Sequence, residues 1–250
     1  MKVKLLIIFT LSVFTTFQSC KKSPLTIGKT ITETRALPDF KEVRLNDNIN
    51  MSLVRSDKNC IKITTGENII DNITTEVRDS VLTICNTTTF DWTLPYDYEL
   101  HATLYYKDIR NFIFNSSGNL DTKNQYNSDD TIKLMYRFEV DGGSGDVDIL
   151  VNNCPYFYFV YQYGTSYAKI HGTNNKFLKI YKQSYGILDA KDFEAENVNV
   201  KNYYVGDCFV NVSDSLSAEI YHFGNVFYKG KPHFINCEYG EFAKGRLLPL

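Results

Sequence analysis

The sequence contains few of the residues on which enzyme and metal sites depend. Its 250 residues include only four histidines, six cysteines and one tryptophan. It has no Cys-X-X-Cys pair, nucleophile elbow, phosphate-binding loop or dinucleotide fingerprint. The histidines (His101, His171, His222 and His233) also lack a second ligand at zinc-site spacing. We therefore predict a protein without enzymatic activity, catalytic residues, metal or cofactor.

An excess of charge of one sign is also lacking. The chain carries 27 basic and 29 acidic residues, which gives a formal net charge of −2. Proteins that bind nucleic acids through phosphates usually present a basic surface, and none is indicated here. The sequence therefore predicts no nucleic-acid partner.

Long hydrophobic runs are absent except at the amino terminus. There, two lysines precede an apolar stretch over residues 5–17, which has the length of a signal peptide and is short for a membrane span. It ends in Phe17-Gln18-Ser19-Cys20, which resembles a bacterial lipobox but departs from it at the first two positions. We predict a signal peptide over residues 1–19 and a lipid on Cys20. An ordinary signal peptide followed by a chance cysteine is the alternative.

This reading predicts a lipoprotein of the cell envelope. Several acyl chains on Cys20 would hold the protein on a membrane, and the outer membrane is favoured with its side left open. Residues 20–38 contain glycine, proline and threonine but little apolar periodicity, so we predict a tether there. The head domain then spans residues 39–250.

The head is rich in glycines that recur at intervals of about twenty residues, a spacing typical of stacked repeats. Apolar or small residues stand two and four positions after most of these glycines and alternate with polar ones, as in a short strand with one buried face. The repeating glycines are Gly118, Gly145, Gly164, Gly186, Gly206, Gly224 and Gly240.

Residues before the glycines alternate with a shifted parity, as expected where a chain turns a corner. We therefore predict three short strands per repeat and an all-β parallel β-solenoid of about twenty residues per coil. In that fold Leu188, Val210 and Val226 point inward. A β-sandwich is the alternative, but it would not place the same residue type at the same distance from each glycine.

Residues 39–86 and the later Gly143-Ser144-Gly145-Asp146-Val147 resemble the GIN domain, the head domain of proposed auto-transporter adhesins in Bacteroidetes envelopes. The resemblance is carried by segments such as Phe40-Lys-Glu-Val-Arg-Leu and Val81-Leu-Thr-Ile-Cys-Asn, and it extends over residues 39–242. The resemblance implies a right-handed β-helix with less regular amino-terminal coils, together with adhesion. The later coils are richer in tyrosine and phenylalanine than the family pattern.

The sharpest polar group is acidic. Asp146 and Asp148 follow Gly145, and Asp121 follows Gly118 at the same distance as Asp148, so Asp121 and Asp148 stack if the coils are adjacent. Three such carboxylates could bind Ca²⁺ or supply the acid and base of a polysaccharide-degrading enzyme. A solvated coil face is the favoured interpretation.

Aromatic residues offer a second candidate binding surface. Trp92, in a predicted loop over residues 86–97, is either a ligand platform or a lid on the core. The tyrosines before the glycines could stack on sugars, but their parity favours the interior (Tyr161, Tyr163, Tyr185, Tyr203, Tyr221 and Tyr239). A corner one residue away would instead turn Tyr158, Tyr167, Tyr181 and Tyr204 outward.

Five cysteines remain after Cys20. Cys208 and Cys237 fall at inward positions, whereas Cys60 and Cys85 could form a disulfide in an exported protein. Taken together, the sequence predicts an envelope-anchored, non-enzymatic head that binds a glycan or protein ligand. The alternatives are a polysaccharide-active β-helix enzyme and a purely architectural envelope protein, and the oligomeric state is open.

Overall fold

The computed structural model describes residues 26–89, 93–95, 98–125 and 135–250. Within these ranges the chain consists of strands, turns and one 3-10 turn at Ile70–Asn72, without an α-helix. The prediction of an all-β protein is confirmed. The first nine strands are β1 (Thr30–Ala36), β2 (Glu42–Asp47), β3 (Asn50–Arg55), β4 (Cys60–Gly66), β5 (Ile73–Arg78), β6 (Val81–Asn86), β7 (His101–Tyr106), β8 (Asn111–Ser116) and β9 (Leu120–Thr122).

The second half of the chain contains the longest strands. Three of them run on through bends, where their pairing registers shift, instead of breaking into the three short strands per repeat that the sequence predicts. The strands are β10 (Met135–Asp141), β11 (Val147–Leu150), β12 (Tyr156–Gln162), β13 (Tyr167–Gln183), β14 (Ile187–Asn202), β15 (Cys208–Ile220), β16 (Val226–Lys229), β17 (Phe234–Tyr239) and β18 (Leu247–Pro249).

All eighteen strands belong to one mixed sheet that does not close on itself. From β10 onward the strands pair in parallel with the equivalent strand about twenty residues later, as β10 does with β12 and β13 does with β14. The predicted repeat length is therefore visible in the pairing. The sheet as a whole, however, is not the entirely parallel coil that we predicted.

Antiparallel pairs among the described strands lie in the first half of the chain, where β1 pairs with β4, β4 with β7 and β5 with β6. Between β5 and β6, Asp79 and Ser80 have φ angles of 48° and 64°. Such a two-residue turn can only join antiparallel strands, because parallel strands need a long crossover. The less regular amino-terminal part of the sheet thus contains a local hairpin, β5–β6, and two antiparallel pairs between strands distant in sequence. Strand β1, within the residues assigned to the tether, is already part of the sheet.

One continuous apolar core runs along the stacked strands. Leu188, Val210 and Val226 are fully buried, as the repeat predicts. Residues two positions after the members of the corner column pair with their counterparts on the next strand and are buried. They are Leu120, Val147, Leu188, Cys208 and Val226, each two positions after a glycine, and Ala168, two positions after Ser166.

The glycine column explains why the strands can stack so closely at this corner. A Cβ atom on Gly145 would lie 1.9 Å from the carbonyl oxygen of Gly118, and one on Gly206 would lie 2.1 Å from that of Gly186. Two assignments from the sequence were wrong. Ser166 and Gly245, not Gly164 and Gly240, occupy the column, because the oxygen of Ser166 faces Gly186 and the oxygen of Gly224 faces Gly245.

Replacing Gly145 by alanine should destabilise the fold by about 1–3 kcal/mol, the usual range for overpacking a tight site. All three nearest atoms to the new Cβ are backbone atoms, which cannot rotate away. Thermal unfolding should show a clear drop in Tm. The control is Gly240→Ala, whose Cβ would first meet a ring carbon of Tyr221 at 2.7 Å. Equal Tm values for the two variants would contradict the proposed role of the column.

Candidate functional site

The structure brings two of the three predicted acidic residues together. Asp121 on β9 and Asp148 on β11 are register partners on adjacent strands, as the repeat predicts. The hydroxyl of Ser52 donates to Asp121 Oδ1 at 2.6 Å, and Lys123 forms an ion pair with the same carboxylate. His171 Nε2 lies 3.0 Å from Asp148 Oδ1. Both carboxylates therefore have polar partners within the protein.

Asp146 has a structural position. Its Oδ1 accepts a hydrogen bond from the backbone N–H of Tyr167 at 3.0 Å, and its own N–H donates to Asn119 Oδ1 at 2.9 Å. Asn119 in turn donates its N–H to Asn50 Oδ1. Further along the sheet, the backbone N–H of Asn225 donates to Asp207 Oδ1 in the same way, and the N–H of Arg246 donates to Asn225 Oδ1. Asn and Asp side chains directly after the glycine column thus tie one strand to the next.

The acidic face does not form a metal centre in the part of the chain that the structure describes, where no group of three or more His, Cys, Asp or Glu side chains is arranged to hold an ion. Nearby, His101 Nε2 lies 3.2 Å from Ser52 Oγ. Burial lowers the pKa of His101, and this effect outweighs the opposing field of Asp121. Asp121, Ser52 and His101 therefore form a hydrogen-bonded group on the outer face of the sheet.

Two predicted site residues cannot be placed. Trp92 and the predicted lipidation site Cys20 lie outside the described residues. The cysteines Cys60 and Cys85, considered as a disulfide, are both free thiols. Cys208 is buried as predicted, whereas Cys237, on the last long strand, is half-buried.

Of the predicted interior tyrosines, Tyr161 is fully buried and donates its hydroxyl to the Ser166 carbonyl. Tyr239 continues the same interior column but is exposed, because β17 is a terminal strand. The prediction is wrong for the other four. The interior column continues from Tyr161 through Lys182, Asn202 and Ile220. The ammonium of Lys182 donates to the carbonyl oxygen of Gly206 at 2.8 Å, and burial lowers the pKa of Lys182 to about 8. Those four tyrosines lie at the corner, where Tyr163 and Tyr185 are exposed and Tyr203 and Tyr221 are half-buried.

Five aromatic side chains at this corner, just before the glycine column, form a surface that we call the aromatic strip. Tyr163, Tyr185 and Phe223 are 69%, 59% and 58% exposed. The Tyr185 and Tyr204 rings meet edge to face at 4.7 Å, and their hydroxyls lie 2.8 Å apart. The strip consists of Tyr163, Tyr185, Tyr204, His222 and Phe223.

Ring contacts continue the strip from one strand to the next. Tyr204 stacks on His222 with centroids 5.7 Å apart, and His222 meets Phe223 at 4.6 Å. Because consecutive strands are spaced by about 4.8 Å, aromatic side chains repeated at one corner come into contact along the sheet. The strip therefore presents several ring faces and tyrosine hydroxyls in a row.

A second stack lies beside the aromatic strip. Tyr203 and Tyr221 are parallel at 4.4 Å, and Tyr181 contacts Tyr203 at 5.1 Å. The Tyr221 hydroxyl donates to Glu219 Oε2 at 2.8 Å, while Lys201 pairs with the same carboxylate at 2.8 Å. This hydrogen bond from Lys201 lowers the pKa of Glu219. Charged and hydrogen-bonding groups thus border the aromatic rings.

A protein-family model described as "Putative auto-transporter adhesin, head GIN domain" matches residues 39–232 of this chain. Among curated proteins, none matches the sequence. The described part of the chain contains no helix of the length and apolarity that a membrane crossing requires.

Several solved structures share the fold. A putative adhesin from Bacteroides fragilis superposes with a TM-score of 0.78 at 19% identity, covering 90% of this chain and 99% of that one. A putative adhesin from Parabacteroides distasonis gives a TM-score of 0.57 at 19% identity over 89% and 98% of the chains. A putative lipid binding protein from the same species gives 0.54 at 16% identity over 89% and 97%. At these identities the likeness concerns the fold alone.

The role of Asp146 can be tested by two substitutions. Asp146→Ala removes the acceptor for the Tyr167 N–H and should cost about 1 kcal/mol of unfolding free energy, measured by denaturant titration. Asp146→Asn retains an amide oxygen as the acceptor while removing the charge, so it should unfold near the wild-type midpoint. If instead the asparagine variant were as unstable as the alanine variant, the charge and not the hydrogen bond would be what matters.

Proposed function

Because this chain belongs to the family of auto-transporter adhesin head GIN domains, we propose that it is a non-enzymatic adhesion module of the cell envelope. Its ligand would bind at the aromatic strip. The exposure of Tyr163, Tyr185 and Phe223 at one corner of the stacked strands is the observation that carries the proposal. We further propose that the parallel strands wind as a right-handed solenoid, the hand favoured for parallel crossovers.

Aromatic rings bordered by hydroxyls suit a glycan or a protein ligand. Ring faces stack on the apolar faces of sugars, and tyrosine supplies large contact area at protein interfaces for little loss of side-chain entropy. The Lys201–Glu219 pair beside the strip offers a donor and an acceptor to ligand hydroxyls or amides. A repeated surface also allows a long ligand to be held at several points at once.

The enzyme alternative has less support. A glycosidase needs two carboxyl groups free to act on a bound sugar. Asp121 and Asp148 instead face Ser52, Lys123 and His171, and Asp146 holds a backbone N–H. The polar partners of these groups favour a structural role for the acidic face.

The location of the aromatic strip predicts which substitutions weaken ligand binding. Tyr185→Ala combined with Phe223→Ala should weaken binding to a responsive glycan or extracellular protein about tenfold or more, since two ring faces are lost. An array of purified glycans and matrix proteins identifies the ligand, and titration gives the Kd.

The matched control is Phe209→Ala combined with Phe227→Ala. These rings also stack on adjacent strands, at 4.9 Å, but lie half-buried outside the aromatic strip. Binding should be retained in this control. A ligand bound equally well by the strip variant and the wild type would place the binding site elsewhere.

We also propose that a lipid on Cys20 anchors the protein. Cys20→Ala should move the protein from the membrane fraction to the soluble fraction after cell disruption, because one substitution removes every acyl chain. Cys85→Ala, in a half-buried free cysteine of the head, is the control and should remain membrane-bound. Undiminished membrane retention of Cys20→Ala would refute lipid anchoring.

A further inference from the structure

Strand β17 exposes two side chains whose register partners on β12 to β15 are all buried. Strand β17 continues the inward columns of β15, with Ile235 next to Leu216 and Tyr239 next to Ile220. Leu216 and Ile220 are fully buried, whereas Ile235 is 43% and Tyr239 49% exposed. Among the described strands, β17 pairs with β15 alone. Inward side chains and one backbone edge therefore face solvent together.

The opposite end of the sheet is closed differently. Strand β1, with the sequence Thr-Ile-Thr-Glu-Thr-Arg-Ala, is mostly polar and lies on the outside of β4. Arg35 reaches across the end and donates to the carbonyl oxygen of Ile70 at 3.0 Å. An apolar strand edge such as β17 finds no matching surface there. A head-to-tail stack of copies is therefore disfavoured.

We propose that the β17 edge pairs with the β17 edge of a second copy, antiparallel and about a two-fold axis centred on Cys237. In this register Ile235 of each copy lies opposite Tyr239 of the other, so inward side chains meet inward side chains. Because side chains alternate along a strand, a shift by one residue would place apolar side chains against polar ones. The two-fold axis repeats each contact on both sides.

The polar side chains fit the same register. Glu238 lies opposite Asn236 of the second copy, which avoids two facing carboxylates, and like charges directly opposite would destabilise the pair. Pairing also gives the unpaired edge groups of both β17 strands hydrogen-bond partners. The self-complementary order apolar, Asn, Cys, Glu, apolar is what selects a second copy as the occupant.

The dimer would join the molecules at the end remote from β1. From β1 to β18 the strands follow one another in about ten steps of roughly 4.8 Å, so the two β1 strands would lie at opposite ends of the pair. This consequence rests on the proposed anchor, because two lipid-anchored copies joined in this way would link two membranes. The dimer itself does not depend on the anchor.

Light scattering on the purified protein across a concentration series tests the dimer. At high concentration the measured mass should be about twice that of one chain. Ile235→Lys should weaken dimerisation at least tenfold without unfolding, since this side chain is already 43% exposed in the monomer. Ile187→Lys is the matched control, with an isoleucine 41% exposed on another strand, and should leave the dimer intact.

Oxidative cross-linking tests the register independently. Residues directly opposite in antiparallel strands have Cα atoms about 4.5–5.5 Å apart, within the range that a disulfide spans. A mild oxidant should therefore give a dimer on non-reducing gels, and Cys237→Ser should abolish it. Cys85 is also a half-buried free cysteine, and the control variant Cys85→Ser should still form the cross-linked dimer.

A monomer at all concentrations would overturn the proposal. So would a dimer that Ile235→Lys leaves unchanged, or one whose cross-link survives Cys237→Ser. Beads carrying the protein by its amino terminus should aggregate with the wild type and not with Ile235→Lys. If ligand binding at the aromatic strip fails but these results hold, the proposed ligand site is wrong and the dimer stands.

Discussion

The stacking of backbone on backbone at the glycine corner is the constraint on which the rest of the structure depends. Where Gly206 lies against the Gly186 carbonyl, a Cβ has no room, and the same close approach of backbone to backbone recurs at Gly145, Gly224 and Gly245. That repetition keeps the strands in parallel register. Register, in turn, places Leu188, Cys208 and Val226 in one buried column and Asn119 and Asp146 in one hydrogen-bonded row.

The same register arranges the surface. Side chains at equivalent positions come within contact distance on adjacent strands, so a residue type that recurs in the sequence becomes a continuous row. Aromatic residues at the corner form the aromatic strip. Among the carboxylates after the glycines, Asp148 meets His171 on the neighbouring strand, whereas Asp121 pairs with Lys123 two residues further along the chain. The proposed binding surface is thus a row of exposed side chains, and its length grows with the number of repeats.

Strands at the ends of the sheet differ from those in its middle because they have a neighbour on one side only. The described strands inside the stack pair on both sides, but the terminal strands (β1 and β5 at one end, β17 and β18 at the other) pair on one side only. At the amino-terminal end the antiparallel strands β1 and β5 and the Arg35 side chain close the edge with polar groups. At the other end β17 keeps the apolar pattern of an internal strand, with Ile235 and Tyr239 exposed.

The amino-acid sequence by itself determined the repeat length, the inward residues such as Val210, and the stacking of Asp121 on Asp148, because strand alternation and glycine spacing are local patterns. It did not reveal that Ser166 replaces a glycine, so residues counted from Gly164 were displaced by two. The tertiary structure decided which tyrosines face outward and where antiparallel pairs interrupt the parallel pairing. Corners and chain ends depend on contacts between repeats, and no local pattern encodes those contacts.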